Sequence, residues 1–95
     1  MANAAPATVT LDAELDIRAA APLAAALLAA RGKAVALDAS QVERVGGQCL
    51  QVLLSAAATW ARDGATLTLD DPSPAFVDVL AIAGVPLARL SSGTV

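Results

Sequence analysis

Histidine is absent from the 95-residue chain, and with it go Ser-His-Asp and Cys-His catalysis, histidine metal sites and the commonest general base at neutral pH. A single cysteine, Cys49, rules out an intramolecular disulfide and a cysteine zinc cluster, which fits a reducing cytoplasm. Aromatic residues are limited to Trp60 and Phe76. The six basic residues, Arg18, Arg31, Lys33, Arg44, Arg62 and Arg89, are scattered within a net charge of −3, so no concentrated cationic surface exists to displace counterions from nucleic acid. No apolar run approaches the roughly 20 residues of a membrane span. Residues 19–30 are too few and too rich in alanine, so no membrane insertion is expected. The start, Met1-Ala2-Asn3-Ala4-Ala5-Pro6, lacks the cationic region and apolar core of a secretory signal.

What is present is apolar: 57% of the residues are hydrophobic, enough for one small domain. Much of that fraction is alanine, so the core rests on leucine and valine. Carboxylates such as Asp12, Glu14, Asp16 and Asp38 flank short segments, and a domain of this size offers little depth for a two-carboxylate cleft. No enzymatic activity, cofactor or metal is therefore expected.

Thr8-Val9-Thr10-Leu11 alternates polar and apolar residues and predicts a strand. Ala13-Glu14-Leu15-Asp16-Ile17 predicts a second extended segment, able to pair antiparallel with the first. A helix over 18–31 follows, with Leu23, Leu27 and Leu28 on its buried side, Pro22 in its first turn and Gly32 at its end. Ala34-Val35-Ala36-Leu37 reads as a central buried strand. A helix over 48–62 should turn Leu50, Leu53, Leu54, Ala57, Trp60 and Ala61 to the sheet, leaving Gln48, Gln51, Ser55, Thr59 and Arg62 outside with Val52 beside them. Asp63-Gly64 closes it. Thr66-Leu67-Thr68-Leu69 is a further strand, Ser73 and Pro74 open a helix over 74–83, and a last strand is expected within 85–90. Strand, helix and strand in succession imply a right-handed crossover and an α/β layer.

Several positions carry two readings. Gly46-Gly47 before a helix can present amide hydrogens to an anion, or can simply permit positive φ and a tight entry. Cys49 in a first turn is a reactive thiol or a small buried hydrophobe. Trp60 is a binding anchor or a core residue whose indole N–H reaches a partner. Asp38 is functional or caps the loop through Ser40 or Gln41 amides. The outward stripe on the helix over 48–62 is uncharged except at its end, which suits either a protein contact or an ordinary solvated face.

The run Val35-Ala36-Leu37-Asp38-Ala39-Ser40-Gln41-Val42-Glu43-Arg44-Val45-Gly46-Gly47-Gln48-Cys49-Leu50-Gln51-Val52-Leu53-Leu54 resembles the central motif of STAS domains, the fold of bacterial anti-sigma factor antagonists, and Leu15-Asp16-Ile17 resembles the segment before their first helix. The resemblance spans residues 8–90 and implies an α/β single domain at 7–91 between flexible ends 1–6 and 92–95. Its sheet should be mixed, of about four to five strands, with helices mainly on one side. Phosphorylated members carry Asp-Ser-Ser-Gly-Leu or Asp-Ser-Thr-Gly-Leu where this chain has Gly46-Gly47-Gln48-Cys49-Leu50, so no phosphorylation site is expected. Ser40 and Ser55 do not occupy the acceptor position. The run 44–57 is similar to small STAS proteins that accompany alphaproteobacterial chemotaxis genes, which implies a non-catalytic accessory that binds the chemotaxis histidine kinase or a response regulator. In the sigma-regulating branch the loop and following helix form the partner surface, which points to Gly46, Gly47, Gln48, Gln51, Val52 and Ser55. The STAS subunit of an ATP-driven phospholipid transport complex, bound to its ATPase subunit, is the alternative. A small-ligand or nucleotide sensor using the helix amides is a third.

Overall fold

The computed structural model describes residues 6–91, so the expected flexible ends lie outside the described residues except for Pro6. Among the described residues, five strands, three α-helices and one 3-10 helix follow in the order β1 (Ala7–Thr10), β2 (Glu14–Leu15), α1 (Ile17–Ala29), β3 (Val35–Asp38), β4 (Arg44–Val45), α2 (Gly47–Asp63), β5 (Leu67–Asp70), α3 (Pro74–Ala83) and the 3-10 helix Leu87–Leu90. The α/β class expected from the alternating elements is the one observed.

The main sheet has the order β1-β3-β5, all parallel, with Thr8, Ala36 and Thr68 in one row and Thr10, Asp38 and Asp70 in another. Strand order advances in one direction through right-handed crossovers, which puts α1 and α2 on the same face. Side-chain alternation agrees: Val35, Leu37 and Leu67 are buried, whereas Thr8, Thr10, Thr68 and Asp70 face solvent on the opposite side. Parallel sheets are usually covered on both faces; threonine and aspartate make this one tolerable with a single cover.

Among the described residues the expected mixed sheet of four to five strands is instead a three-stranded and a two-stranded parallel sheet. Each strand pair is parallel, and the second segment does not form a hairpin with β1 but joins β4 in a separate two-stranded sheet. The Leu11 N–H donates to the Asp38 carbonyl at 2.9 Å, so the chain runs on beside β3 before it bends. Leu11 and Leu15 are both buried, and the N–H groups of Glu43 and Arg44 both donate to the Ala13 carbonyl, which draws β2 toward β4. Asp12-Ala13 supplies no turn chemistry to oppose this.

Asp16 caps α1, accepting from the N–H groups of Arg18 and Ala19 at 3.0 and 3.2 Å. The helix therefore starts at Ile17, and Pro22 lies in its interior rather than its first turn, where it removes one ladder bond. Leu23 and Leu27 are buried, but Leu28 is 68% exposed, contrary to its expected place. In α2 the inward residues are Cys49, Leu53, Ala56, Ala57 and Trp60; Leu50 and Leu54 are half-buried and Ala61 is exposed. Gly64 ends α2 at φ 68°, a left-handed conformation that glycine adopts without a Cβ penalty. Ser73 accepts from the Phe76 N–H and donates to the Val42 carbonyl, joining the α3 cap to the loop before β4. The strand expected within 85–90 is a 3-10 helix. Pro86 holds φ at −65° before it, and Leu90 is fully buried where the turn packs against α2 and β5.

Candidate docking surface

The entry to α2 is set by contact between two chain segments rather than by unusual torsions. Gly46 is the N-cap with φ −87° and ψ 163°, and neither it nor Gly47 has positive φ, which corrects the expectation of a left-handed turn here. The Gly46 N–H donates to the Leu15 carbonyl at 2.8 Å, and a Cβ at position 46 would meet that same oxygen at 3.3 Å. Gly46 eases the close approach to β2, since a Cβ there would press on the Leu15 carbonyl. Nothing lies within 4 Å of a Cβ placed on Gly47, so the corner is open to solvent.

From this corner α2 presents Gln48, Gln51 and Ser55 as an exposed crest with Val52 half-buried beside it. The crest separates two apolar hollows. On one flank Gln51, Val52 and Ser55 meet Leu27 and Leu28 of α1 and Arg31 of the turn after it around a groove of about 340 Å³. On the other, Gly46 and Gly47 join Val45, Leu50, Val79 and Ile82 around a hollow of about 240 Å³. The six expected residues thus lie along α2 and its N-cap but divide between two hollows, with Gln48 lining neither.

Leu28 and Ile82 were missed as surface residues, as was the half-buried Val79 that lines the hollow with Ile82. Ile82 is 88% exposed. Its signal in the sequence was a second apolar line, Val79-Ile82-Ala83, at three- and four-residue steps beside the buried Phe76 and Leu80.

One family model, described as Mlab, STAS domain, matches residues 2–86. The chain belongs to the STAS domain family. Comparison with curated proteins gives no match.

The electrostatics of this STAS domain are quiet around the grooves. Arg31 is the charged residue of the larger groove, and its guanidinium grips Asp63 through Nε to Oδ2 at 3.0 Å and Nη2 to Oδ1 at 3.2 Å. Hydrogen bonding from Arg31 holds the Asp63 carboxyl below the usual carboxylate range. The pair is partly solvated, so it fixes the turn after α1 against the end of α2 more than it adds stability. Asp38 is likewise held low by hydrogen bonds from Ser40, whose N–H donates to Oδ1 at 3.0 Å, which is the loop-capping arrangement. Among the described residues no three His, Cys, Asp or Glu side chains gather as a metal site, and no helix is long and apolar enough to cross a membrane.

Cys49 is fully buried, and its thiol donates to the Asp16 carbonyl at 3.3 Å. Burial raises its pKa, and the nearby carboxylates of Asp16 and Asp12 raise it further. The thiol stays protonated at neutral pH and fills space as a small hydrophobe. An aromatic disulfide reagent is expected to leave Cys49 unmodified in the folded protein and to titrate one thiol per chain in denaturant; rapid modification under native conditions would contradict this packing. Ser55 lies eight residues beyond Gly47, roughly 12 Å along the helix axis, so it does not stand in for a hydroxyl at the corner.

Proposed function

We propose that this STAS domain is a non-catalytic docking module of the bacterial cytoplasm. Its favoured setting is chemotaxis signalling, where it binds the histidine kinase or a response regulator and needs no phosphorylated serine. The observation that carries the reading is the uncharged crest of α2 with an apolar hollow on each side. Partner interfaces are depleted of charge at their centre and use shallow apolar recesses for anchoring side chains. No cofactor enters the proposal.

A second reading is the STAS subunit of an ABC-type phospholipid transport complex, with the same surface on the ATPase subunit. The exposed apolar residues Leu28 and Ile82 favour it, since permanent interfaces are more hydrophobic than transient ones. An anti-sigma factor antagonist-like role would use the crest as well, though without the acceptor hydroxyl.

Capture of the purified chemotaxis kinase on immobilised protein tests the first reading. Gln51→Arg combined with Val52→Glu is expected to weaken capture by tenfold or more, about 1.4 kcal/mol. Undiminished capture by the double variant would reject this surface, and binding to a transporter ATPase in place of the kinase would select the second reading.

A further inference from the structure

We propose that β1 is a dimerisation edge: two copies of the chain pair β1 with β1, antiparallel about a twofold axis at Val9, to make one six-stranded sheet. The backbone sets the register. The Ala7 N–H donates to the Ala34 carbonyl and the Leu11 N–H to the Asp38 carbonyl, both at 2.9 Å, so residues 7, 9 and 11 turn their polar groups toward β3. Those of Thr8 and Thr10 point the other way, to an edge that pairs with no strand among the described residues. In the proposed dimer Thr8 of each copy exchanges two hydrogen bonds with Thr10 of the other, and the two Val9 residues face each other at the dyad.

Natural edges are blunted by charge, proline, a bulge or a cover. The opposite edge strand, β5, has the 3-10 helix packed against it. Ala7-Thr8-Val9-Thr10 carries neither charge nor proline, and among the described residues no strand pairs with its outer edge. Beneath the edge a slot of about 190 Å³ is lined by Val9, Leu11, Leu15, Pro22, Leu23 and Ala26.

A second copy is the occupant the surroundings fit, because each feature at the seam is self-complementary. Helix α1 connects β1 to β3 on one face, so the α1 helices of the two copies would lie two strand spacings apart, roughly 10 Å. That is a helix contact distance, suited to small residues such as Ala19, Pro22 and Ala26 on the flank over the slot. Like charges also stay away from the twofold seam. The only charged residue of α1 is Arg18, already paired with Asp16 at 3.0 Å, and Asp12 would fall opposite Pro6 of the other copy. The docking crest of α2 lies across the other flank of α1 and stays free. With four residues per edge the buried area falls at the low end for specific complexes, so the dimer is concentration-dependent.

Sedimentation velocity across a concentration series tests this, with Thr10→Pro and Val9→Cys as probes. The wild-type protein is expected to shift toward twice the chain mass as concentration rises. Thr10→Pro removes only an outward-facing donor; it should keep the native circular dichroism spectrum and weaken association by about tenfold or more. Val9→Cys puts two Cα atoms within disulfide range at a non-hydrogen-bonded pair and should give a covalent dimer under mild oxidation, while Val77→Cys, exposed on α3, should not. A wild-type protein that stays monomeric at millimolar concentration, unchanged association in Thr10→Pro, or folded Val9→Cys that does not cross-link would each overturn the proposal.

Discussion

Replacing Trp60 with alanine is expected to destabilise the domain by about 3–5 kcal/mol, read as a lower urea midpoint with an unchanged slope. The side chain is 2% exposed near the end of α2, and it is the largest member of a core that is otherwise leucine, valine and alanine apart from Phe76 and Cys49. Few neighbours are large enough to move into the space it leaves. Its indole N–H also donates to the Lys33 carbonyl at 2.7 Å, which ties α2 to the chain just before β3. Trp60→Phe keeps most of the volume and loses this bond, so its expected effect is about 1–3 kcal/mol. A small domain typically has a total stability of about 5–15 kcal/mol, so the alanine variant removes a large share of it. A midpoint within error of wild type would show that the interior repacks freely, contrary to the arrangement described here.

The elements that came through in the sequence are those whose local chemistry and burial point the same way. Val35-Ala36-Leu37 announced a buried strand because it is apolar on both sides of the pleat, and Ser73-Pro74 announced a helix start because cap and first-turn preferences coincide. Trp60 was legible as core from its spacing to Leu53 and Ala57. The helix 17–29 was harder to phase. Alanine surrounds it, so Leu27 and Leu28 differ only in which way tertiary packing turns them, and one is buried while the other is 68% exposed. The two-residue strands β2 and β4 are too short for periodicity to register, and their pairing rests on backbone bonds to Ala13 and Leu15 that no side-chain pattern encodes. The crest Gln48-Gln51-Ser55 was visible from spacing alone. Its apolar neighbours on α1 and α3 come from distant sequence positions and needed the fold to bring them near.

The larger groove provides the sharpest separation of binding from folding. Leu28→Glu should leave stability within about 0.5 kcal/mol of wild type, because a side chain 68% exposed has little burial to lose and glutamate is a good helix former. Partner capture should fall by thirtyfold or more, about 2 kcal/mol, if an anchoring side chain of the partner seats between Leu28 and Val52. The two positions belong to one groove, so Leu28→Glu and Val52→Glu should be non-additive in a double-mutant cycle, the pair costing less than the sum of its parts. Ile82→Glu supplies the contrast. It lies in the hollow on the other flank of α2, and its effect should add to that of Leu28→Glu if one partner spans the crest, or vanish if the partner uses the α1 side alone. Strict additivity of Leu28→Glu and Val52→Glu, or capture undiminished by either, would remove the groove between α1 and α2 as the seat of binding. The protein would then have to engage its partner through the diglycine corner and α3.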